Sequence, residues 1–310
     1  MSIWHIYGGN RLTGSTRVQG AKNAVLPIMA ASVLSGGETV LHNVPDLRDV
    51  TTTLRILQHL GCTAVRDGDT VRIDSRGMHC DFIPHALMRE LRSSVIFLGA
   101  ILARFGTARL SMPGGCELGP RPVNLHLDAL RALGAEVTER GGDIICRAHA
   151  LQGRRILLPF PSVGATENAM LAACAAAGET VICNAAREPE IADLQCYLRK
   201  LGADISGAGT STVTVGGFRP RPFVEHTIMP DRIVAATILC AAAACGGEVE
   251  LQDVDPAHFS TVLDSLSEAG CAIITTASAV HLTSDGQLTA PRPVVTQPYP
   301  GFPTDAQPPL

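Results

Sequence analysis

The chain has 310 residues, enough for two domains that each bury a core of their own. Hydrophobic residues make up 46% of the sequence, charged residues 17% and aromatic residues 4%, which excludes a disordered chain and predicts a core of Ala, Val, Leu and Ile. The formal net charge is −4 without a basic stripe, so neither nucleic acid nor an anionic membrane is expected as a partner.

The sequence contains no signal for a membrane span, for secretion or for a metal site. The longest apolar run, residues 233–247, is shorter than the roughly 20 residues that a spanning helix needs. Trp4 and His5 stand where a secretory signal has its basic and apolar parts, so a cytoplasmic protein is expected. The ten cysteines form no CxxC pair, and the histidines have no metal-ligand spacing. Free thiols, no metal and no cofactor are predicted, with Cys174, Cys240 and Cys245 as small core residues.

An Ala-rich apolar segment recurs four times along the chain. The copies start near Lys22, Arg92, Thr166 and Asp231, at intervals of about 65 to 75 residues. Each copy is followed by a glycine and a run of β-branched residues, as in GGETVLHNV after the first copy. This pattern predicts a helix, a turn and a strand in every repeat.

A second helical segment follows in each repeat and stops at a glycine. These glycines, which predict left-handed C-terminal caps, are Gly61, Gly134, Gly202 and Gly270. Two short alternating segments come next, for example residues 63–66 and 70–73 around a turn at 67–69. The predicted unit is therefore helix, strand, helix and hairpin, and the fold class is α/β.

The repeats also predict the domain organisation. Residues 22–229 hold three units and are expected to form one complete domain, whereas residues 1–21 and 230–310 form a partial second domain with one complete repeat. The segment FPTDAQ lies where a fifth repeat should begin, which predicts a C-terminally incomplete chain. A single repeat is expected to leave part of its first helix exposed, at Ile233, Ala236, Ile238 and Leu239.

Polar residues at the starts of the apolar helices are the first candidates for a binding site. Lys22 and Asn23, Arg92, and residues 162–166 occupy this position in three successive repeats. Each one alone is better explained by a helix cap or a solvated helix end than by a binding site. Three such starts in tandem favour a ligand that carries phosphate, because helix N-termini attract anions.

The segment PGGCELGPRPVNL at residues 113–125 is the most specific stretch of the sequence. Cys116 lies in its glycine-rich part, five residues before Arg121, and a thiol near cations can act as a nucleophile or an acid. The neighbouring carboxylate of Glu117 would instead disfavour the thiolate form of Cys116, because two negative charges repel each other. Asp305 in FPTD is compatible with a helix cap like Thr166 or Asp231, or with a base. Asp231 and Arg232 are interpreted as a structural pair.

The sequence closely resembles the UDP-N-acetylglucosamine 1-carboxyvinyltransferases, also called enolpyruvyl transferases. The resemblance is carried by the two segments above and by GAKNAVLP around Lys22, PSVGAT, NAAREPEI and PDRI. The resemblance runs through all 310 residues. The cysteine loop separates this family from its shikimate-pathway relative and disfavours that activity. The resemblance implies a two-domain inside-out α/β barrel of six units with helices at its centre. The implied reaction transfers the enolpyruvyl group of phosphoenolpyruvate to the 3-hydroxyl of UDP-N-acetylglucosamine, the first committed step of peptidoglycan synthesis.

The resemblance also implies roles for individual residues. Lys22 would bind the phosphoenolpyruvate phosphate, Asn23 both substrates, and Arg92 the UDP-sugar. Cys116 would be the general acid, and Asp305 would accept the proton of the sugar 3-hydroxyl. The residues implied to bind the uridine and its phosphates are Arg121, Pro122, Val123, Asn124, Leu125, Phe160, Pro161, Ser162 and Val163.

Three departures from the family pattern bear on catalysis: Glu117 beside the cysteine, Val234 after PDRI, and two further family repeats that this sequence lacks. They keep a second hypothesis open, in which the chain binds UDP-sugar without turnover.

Overall fold

A computed structural model describes residue 5 and residues 7–91, 93–111, 123–290 and 292–302. The chain divides into two compact units. The large unit is Gly20–Met229, and the small unit combines Met1–Gln19 with Pro230–Leu310.

The helices of the large unit are α1 (Lys22–Ala31), α2 (Arg48–His59), α3 (His85–Glu90), α4 (Phe97–Phe105), α5 (Asn124–Ala132), α6 (Val163–Ala173) and α7 (Pro189–Leu201). Those of the small unit are α8 (Arg232–Cys245) and α9 (Ser260–Glu268). Short 3₁₀ turns occur at Ser32–Leu34, Ser94–Ile96 and Pro256–Phe259.

The strands of the large unit are β2 (Glu38–His42), β3 (Thr63–Asp67), β4 (Thr70–Asp74), β5 (Phe82–Ile83), β6 (Thr107–Ser111), β7 (Glu136–Arg140), β8 (Asp143–Arg147), β9 (Arg155–Leu157), β10 (Thr180–Cys183), β11 (Ala203–Ser206), β12 (Thr212–Phe218) and β13 (Phe223–Thr227). Those of the small unit are β1 (Leu12–Arg17), β14 (Gly247–Gln252), β15 (Ala272–Thr275) and β16 (Ala279–Ser284).

The described strands form four four-stranded sheets with one shared topology. Their orders are β13-β2-β4-β3, β5-β6-β8-β7 and β11-β12-β10-β9 in the large unit and β1-β14-β16-β15 in the small unit. In each sheet the first or last strand joins its neighbour in parallel, and the other pairs are antiparallel. The predicted order of helix, strand, helix and hairpin is thereby confirmed in all four repeats.

The four glycines that were predicted to cap the second helices all have left-handed backbones. Their φ angles are 98° at Gly61, 96° at Gly134, 111° at Gly202 and 105° at Gly270. A side chain is strained in this conformation, so glycine is the residue that can stop these helices here. The prediction from sequence is confirmed at each position.

The helix starts differ in part from the prediction. Ser162, and not Thr166, precedes α6, and its hydroxyl accepts a hydrogen bond from the amide of Ala165 at 3.4 Å. Thr166 lies inside the helix, where its hydroxyl donates to the Ser162 carbonyl at 2.8 Å. Asp231 does cap α8, because its carboxylate accepts from the amides of Ile233 and Val234 at 2.9 and 3.1 Å.

The core of the large unit forms around the Ala-rich first helices. α4 contacts both α1 and α6, and nearly all residues of α1 and α6 are buried. The small unit has its own core between α8, α9 and the sheet. The expected exposure of α8 is therefore only half right: Ile233 and Ile238 are half-buried, but Ala236 and Leu239 have no exposed surface, because α9, β14 and β16 cover them.

The described part of the chain bears on three further expectations. None of its helices is long and apolar enough to cross a membrane, and none of its His, Cys, Asp and Glu side chains gather into a potential metal site. Its nine cysteines are free thiols. Cys174 and Cys240 are buried as predicted, but Cys245 is exposed, since it is the last residue of α8.

Candidate functional site

A cavity of about 180 Å³ lies in the large unit where several helices begin. Its walls combine apolar surface from α1, the 3₁₀ turn before α4 and the start of α6 with a few polar groups, the usual composition of a small-molecule site. The described lining residues are Asn23, Leu26, Pro27, Ser93, Val95, Ile96, His126, Val163, Gly164 and Glu167.

Three helix N-termini contribute first-turn residues to this cavity. Asn23 is the second residue of α1, His126 the third residue of α5, and Val163 the first residue of α6. The first amides of a helix have no partner within the helix, and the helix dipole makes that end positive. The convergence therefore creates a site that favours anions.

Side-chain caps are sparse at these three helix starts among the described residues. Ala21 precedes α1 and Val123 precedes α5, and neither helix has a side-chain cap among the described residues. Ser162 caps α6 with one bond of 3.4 Å, which is long for a hydrogen bond. In the first turns themselves, the amide of Ala24 donates to the carbonyl of Ala21 at 3.2 Å, and the amide of His126 donates to the carbonyl of Val123 at 3.0 Å.

Lys22 adds a cation at the start of α1. Its Nζ lies 3.8 Å from Oδ2 of Asp49 in the first turn of α2, and its side chain is about half exposed. Such a partly exposed pair contributes little to stability. The ammonium group lies near the start of α1 and is partly accessible to solvent.

The other predicted binding residues in the described part of the chain lie around the starts of α5 and α6. Of all the predicted binding residues described, Asn23 of α1 and Val163 of α6 are the two that line the cavity. Val123 and Leu125 are half-buried against the core, and Asn124 is exposed. In front of α6, Pro161 and Ser162 are half-buried, whereas Phe160 is 59% exposed.

Five predicted site residues lie outside the described residues: Arg92, Cys116, Arg121, Pro122 and Asp305. Their roles remain predictions. Burial raises the pKa of the Cys62 thiol to about 11 and the pKa values of Cys146 and Cys174 to about 12. These thiols stay protonated near neutral pH, so none of them is a candidate for the reactive cysteine.

The sequence analysis missed three polar residues of the cavity, His126, Glu167 and Ser93. Each had a signal. His126 directly follows the predicted binding segment that ends at Leu125, which makes it a candidate for the same site although it has no metal-ligand spacing. Glu167 is the only charged residue of α6 and is 6% exposed. A carboxylate inside an Ala-rich buried helix indicates a specific partner.

Comparison with known proteins shows the family of this chain. A profile of the EPSP synthase (3-phosphoshikimate 1-carboxyvinyltransferase) family matches residues 6–310. The UDP-N-acetylglucosamine 1-carboxyvinyltransferase 2 of Caldanaerobacter subterraneus subsp. tengcongensis is 46% identical over 99% of this chain and 74% of its own length. UDP-N-acetylglucosamine 1-carboxyvinyltransferase 1 of Symbiobacterium thermophilum is 48% identical over 98% of this chain and 70% of its own length.

Solved structures show the same fold. The enolpyruvyl transferase NikO from Streptomyces tendae has a TM-score of 0.85 and 26% identity, covering 98% of this chain and 73% of that one. EPSP synthase from Acinetobacter baumannii has a TM-score of 0.66 at 20% identity, covering 90% and 66%, which supports the fold alone. The chain belongs to the enolpyruvyl transferase family, and within it to the UDP-N-acetylglucosamine 1-carboxyvinyltransferases.

Proposed function

We propose that this protein transfers the enolpyruvyl group of phosphoenolpyruvate to the 3-hydroxyl of UDP-N-acetylglucosamine and releases phosphate. The observation that carries the proposal is the convergence of the starts of α1, α5 and α6 on one cavity. Both substrates carry phosphate, and phosphoenolpyruvate also carries a carboxylate, so both match a site of helix N-termini and a lysine. The proposed setting is peptidoglycan synthesis in the cytoplasm.

The proposed chemistry is an addition followed by an elimination. Asp305 takes the proton of the sugar 3-hydroxyl, the oxygen bonds to C2 of phosphoenolpyruvate, and Cys116 gives its proton to the methylene carbon. Loss of a proton from the resulting methyl group and of phosphate from C2 then restores the double bond. General acid and general base catalysis each contribute roughly 10² to 10⁴ in rate.

The other predicted residues act in binding. Lys22 holds the phosphate of phosphoenolpyruvate, with Asn23 and Arg121 beside the anions, and Arg92 contacts the UDP-sugar. The residues proposed for the uridine and its phosphates are Arg121, Pro122, Val123, Asn124, Leu125, Phe160, Pro161, Ser162 and Val163. No metal or cofactor takes part in the proposed reaction.

The same proposal extends to the architecture. Residues 22–229 are proposed to form an inside-out barrel domain of three repeats, and residues 1–21 with 230–310 are proposed to contribute one repeat to a second domain. The large unit has three sheets with buried first helices, and the small unit has one. Limited proteolysis with mass mapping should leave a resistant core near residues 22–229. Equal resistance through residue 310 would contradict this division.

Phosphate release tests the activity directly. Release is expected only when phosphoenolpyruvate and UDP-N-acetylglucosamine are both present, and shikimate 3-phosphate should not replace the nucleotide sugar. A second candidate is a protein that binds UDP-sugar without turnover, which the departures at Glu117 and Val234 favour. Calorimetric binding of UDP-N-acetylglucosamine without any phosphate release would establish that alternative and overturn the first.

A further inference from the structure

Met229, the last residue of the large unit, is bonded to the residue that precedes α1. Its carbonyl accepts a hydrogen bond from the amide of Ala21 at 2.7 Å. The carbonyl of Ala21 in turn accepts from the amides of Ala24 and Val25, at 3.2 and 3.0 Å. Met229 is therefore connected through Ala21 to the first turn of α1.

This first turn carries part of the cavity wall. Asn23, Leu26 and Pro27 of α1 line the cavity, and Lys22 is the proposed ligand of the phosphate. Because successive residues of a helix are linked by backbone hydrogen bonds, a displacement at Ala21 moves all four. Small displacements of binding groups weaken the fit of a ligand. The group that holds Ala21 in place therefore also sets the geometry of the cavity.

Asp193 of α7 holds the amide of Met229. Its Oδ2 accepts a hydrogen bond from this amide at 3.3 Å, and its Oδ1 lies 2.9 Å from Nε2 of His226 on β13. The side chain of Asp193 is 11% exposed and that of His226 is 4% exposed. A carboxylate with so little access to water needs donors from the protein, and here each of its oxygen atoms has one.

His226 fixes the direction of this carboxylate. Since a carboxylate only accepts hydrogen bonds, the proton between the two side chains belongs to Nε2 of His226. Nδ1 of the ring is buried and has no hydrogen-bond partner among the described residues. A second proton on Nδ1 would be a buried donor without an acceptor, which is costly. The neutral ring with its proton on Nε2 is the form that fits this place.

The residue before Met229 is held by different bonds. The amide of Ile228 donates to the carbonyl of His42 at 3.0 Å, and its carbonyl accepts from Nδ2 of Asn43 at 3.0 Å. These bonds attach Ile228 to the end of β2. Asp193 of α7 then supplies the side-chain bond on the backbone of Met229 itself, so it acts on the residue that contacts Ala21.

We propose that Asp193 is a positioning residue of the cavity, which holds the start of α1 in place through Met229 and Ala21 and so sets the affinity for phosphoenolpyruvate. His226 supports it by orienting the carboxylate. Asp193 acts at a distance from the ligand, since it is not among the described residues that line the cavity. The identity of the ligand rests on the proposed function, whereas the effect on α1 does not depend on it.

The first test compares backbone amide shifts of the native protein and Asp193→Ala. The variant should shift the amides of Ala21 and Asn23. Gln195→Ala is the matched control, because Gln195 is a buried residue of the same helix that also accepts from a backbone amide, that of Ala208 at 2.9 Å. Its changes should stay near Ala208. Unchanged amides of Ala21 and Asn23 in Asp193→Ala would overturn the proposal whether or not the protein is an enzyme.

The second test is calorimetric titration with phosphoenolpyruvate. Asp193→Ala should bind it roughly tenfold more weakly than the native protein, whereas Gln195→Ala should stay within about twofold. Melting temperatures of both variants separate this effect from a loss of stability. Native affinity in the folded fraction of Asp193→Ala would overturn the positioning role. If the native protein does not bind phosphoenolpyruvate, the proposed function fails, and the amide shifts alone decide whether Asp193 holds α1.

His226→Phe tests the supporting residue. Phenylalanine keeps a ring against Tyr197, which now lies 5.7 Å from the imidazole between ring centroids, but it cannot donate to Asp193. The affinity for phosphoenolpyruvate should fall by roughly threefold, less than in Asp193→Ala, because the carboxylate keeps its bond to Met229. A greater loss in His226→Phe than in Asp193→Ala would overturn the assignment of the positioning role to Asp193.

Discussion

The starts of α1 and α8 are corresponding positions of two repeats, but they differ in side-chain capping. The first amides of α8 are occupied by the carboxylate of Asp231, at 2.9 and 3.1 Å. α1 has no side-chain cap among the described residues and begins with Lys22 and Asn23 beside the cavity. A carboxylate cap stabilises the start of its own helix, whereas a helix start without a side-chain cap beside a cavity is suited to an anionic ligand.

The surroundings of the two helices differ as well. α1 lies among other first helices, and its residues from Ala24 to Ala31 are all buried. α8 has the same Ala-rich character, but Thr237 is exposed and Ile233 and Ile238 are half-buried. Similar sequences thus reach different burial because the large unit supplies three repeats to pack together and the small unit supplies one.

The largest expected effect separates catalysis from binding in the large unit. Cys116→Ser should reduce phosphate release by roughly 10²- to 10⁴-fold, because a serine hydroxyl is too weak an acid to protonate carbon near neutral pH. UDP-N-acetylglucosamine should still bind, as measured by calorimetry. Equal loss of turnover and binding would indicate a structural role for the cysteine.

Lys22→Ala tests whether the start of α1 binds an anion. The affinity for phosphoenolpyruvate should fall by roughly 10- to 100-fold, the usual loss for a charge-assisted hydrogen bond. Lys200→Ala is the matched control, since this exposed lysine of α7 donates to the Glu225 carbonyl at 3.1 Å, away from the cavity. Loss of thermal stability with unchanged affinity in Lys22→Ala would refute the assigned role.

A matched pair of leucines tests the difference in packing. Leu57 of α2 and Leu266 of α9 occupy the same place before their capping glycines, with exposed fractions of 0% and 3%. Leu57→Ala should lower the local free energy of unfolding by about 4 kcal/mol and Leu266→Ala by about 2 kcal/mol, because the larger core collapses less around the cavity. Hydrogen exchange in each unit measures both. A larger loss of unfolding free energy in Leu266→Ala than in Leu57→Ala would contradict this prediction.

The smallest effect concerns the rates at which the thiols react. Cys116 should be alkylated first at limiting reagent, ahead of the exposed Cys196 and Cys245, if its loop lowers its pKa. Cys146 and Cys174, whose burial raises the pKa to about 12, should stay unlabelled even at alkaline pH until the protein unfolds. Mass mapping of the peptides shows the order in which the cysteines are alkylated. First labelling of Cys196 would contradict an activated Cys116.

The sequence predicted local structure better than it predicted the site. Glycine caps and the repeat order depend on backbone preferences and apolar periodicity, which the sequence carries directly, so Gly61 and Gly270 were placed correctly. The start of α6 was missed because Ser162 and Thr166 are both capping residues, and only the backbone distinguishes them.

The cavity shows a second limit of sequence reasoning. His126 and Asn168 are 42 positions apart, and their contact arises from the packing of α5 on α6. No local pattern predicts such a pair. Motif resemblance located the neighbouring segments, including Asn23 and Val163, but it assigned roles only to residues within its motifs.

The central claim is that the cavity at the starts of α1, α5 and α6 binds the substrates. Mapping of backbone amide shifts during titration with UDP-N-acetylglucosamine tests it most directly. The account predicts the largest changes at Asn23, His126 and Gly164, and little change at Ile233 and Val234, whose amides Asp231 already occupies. Changes concentrated at the start of α8, with the amides of the cavity unaffected, would contradict it.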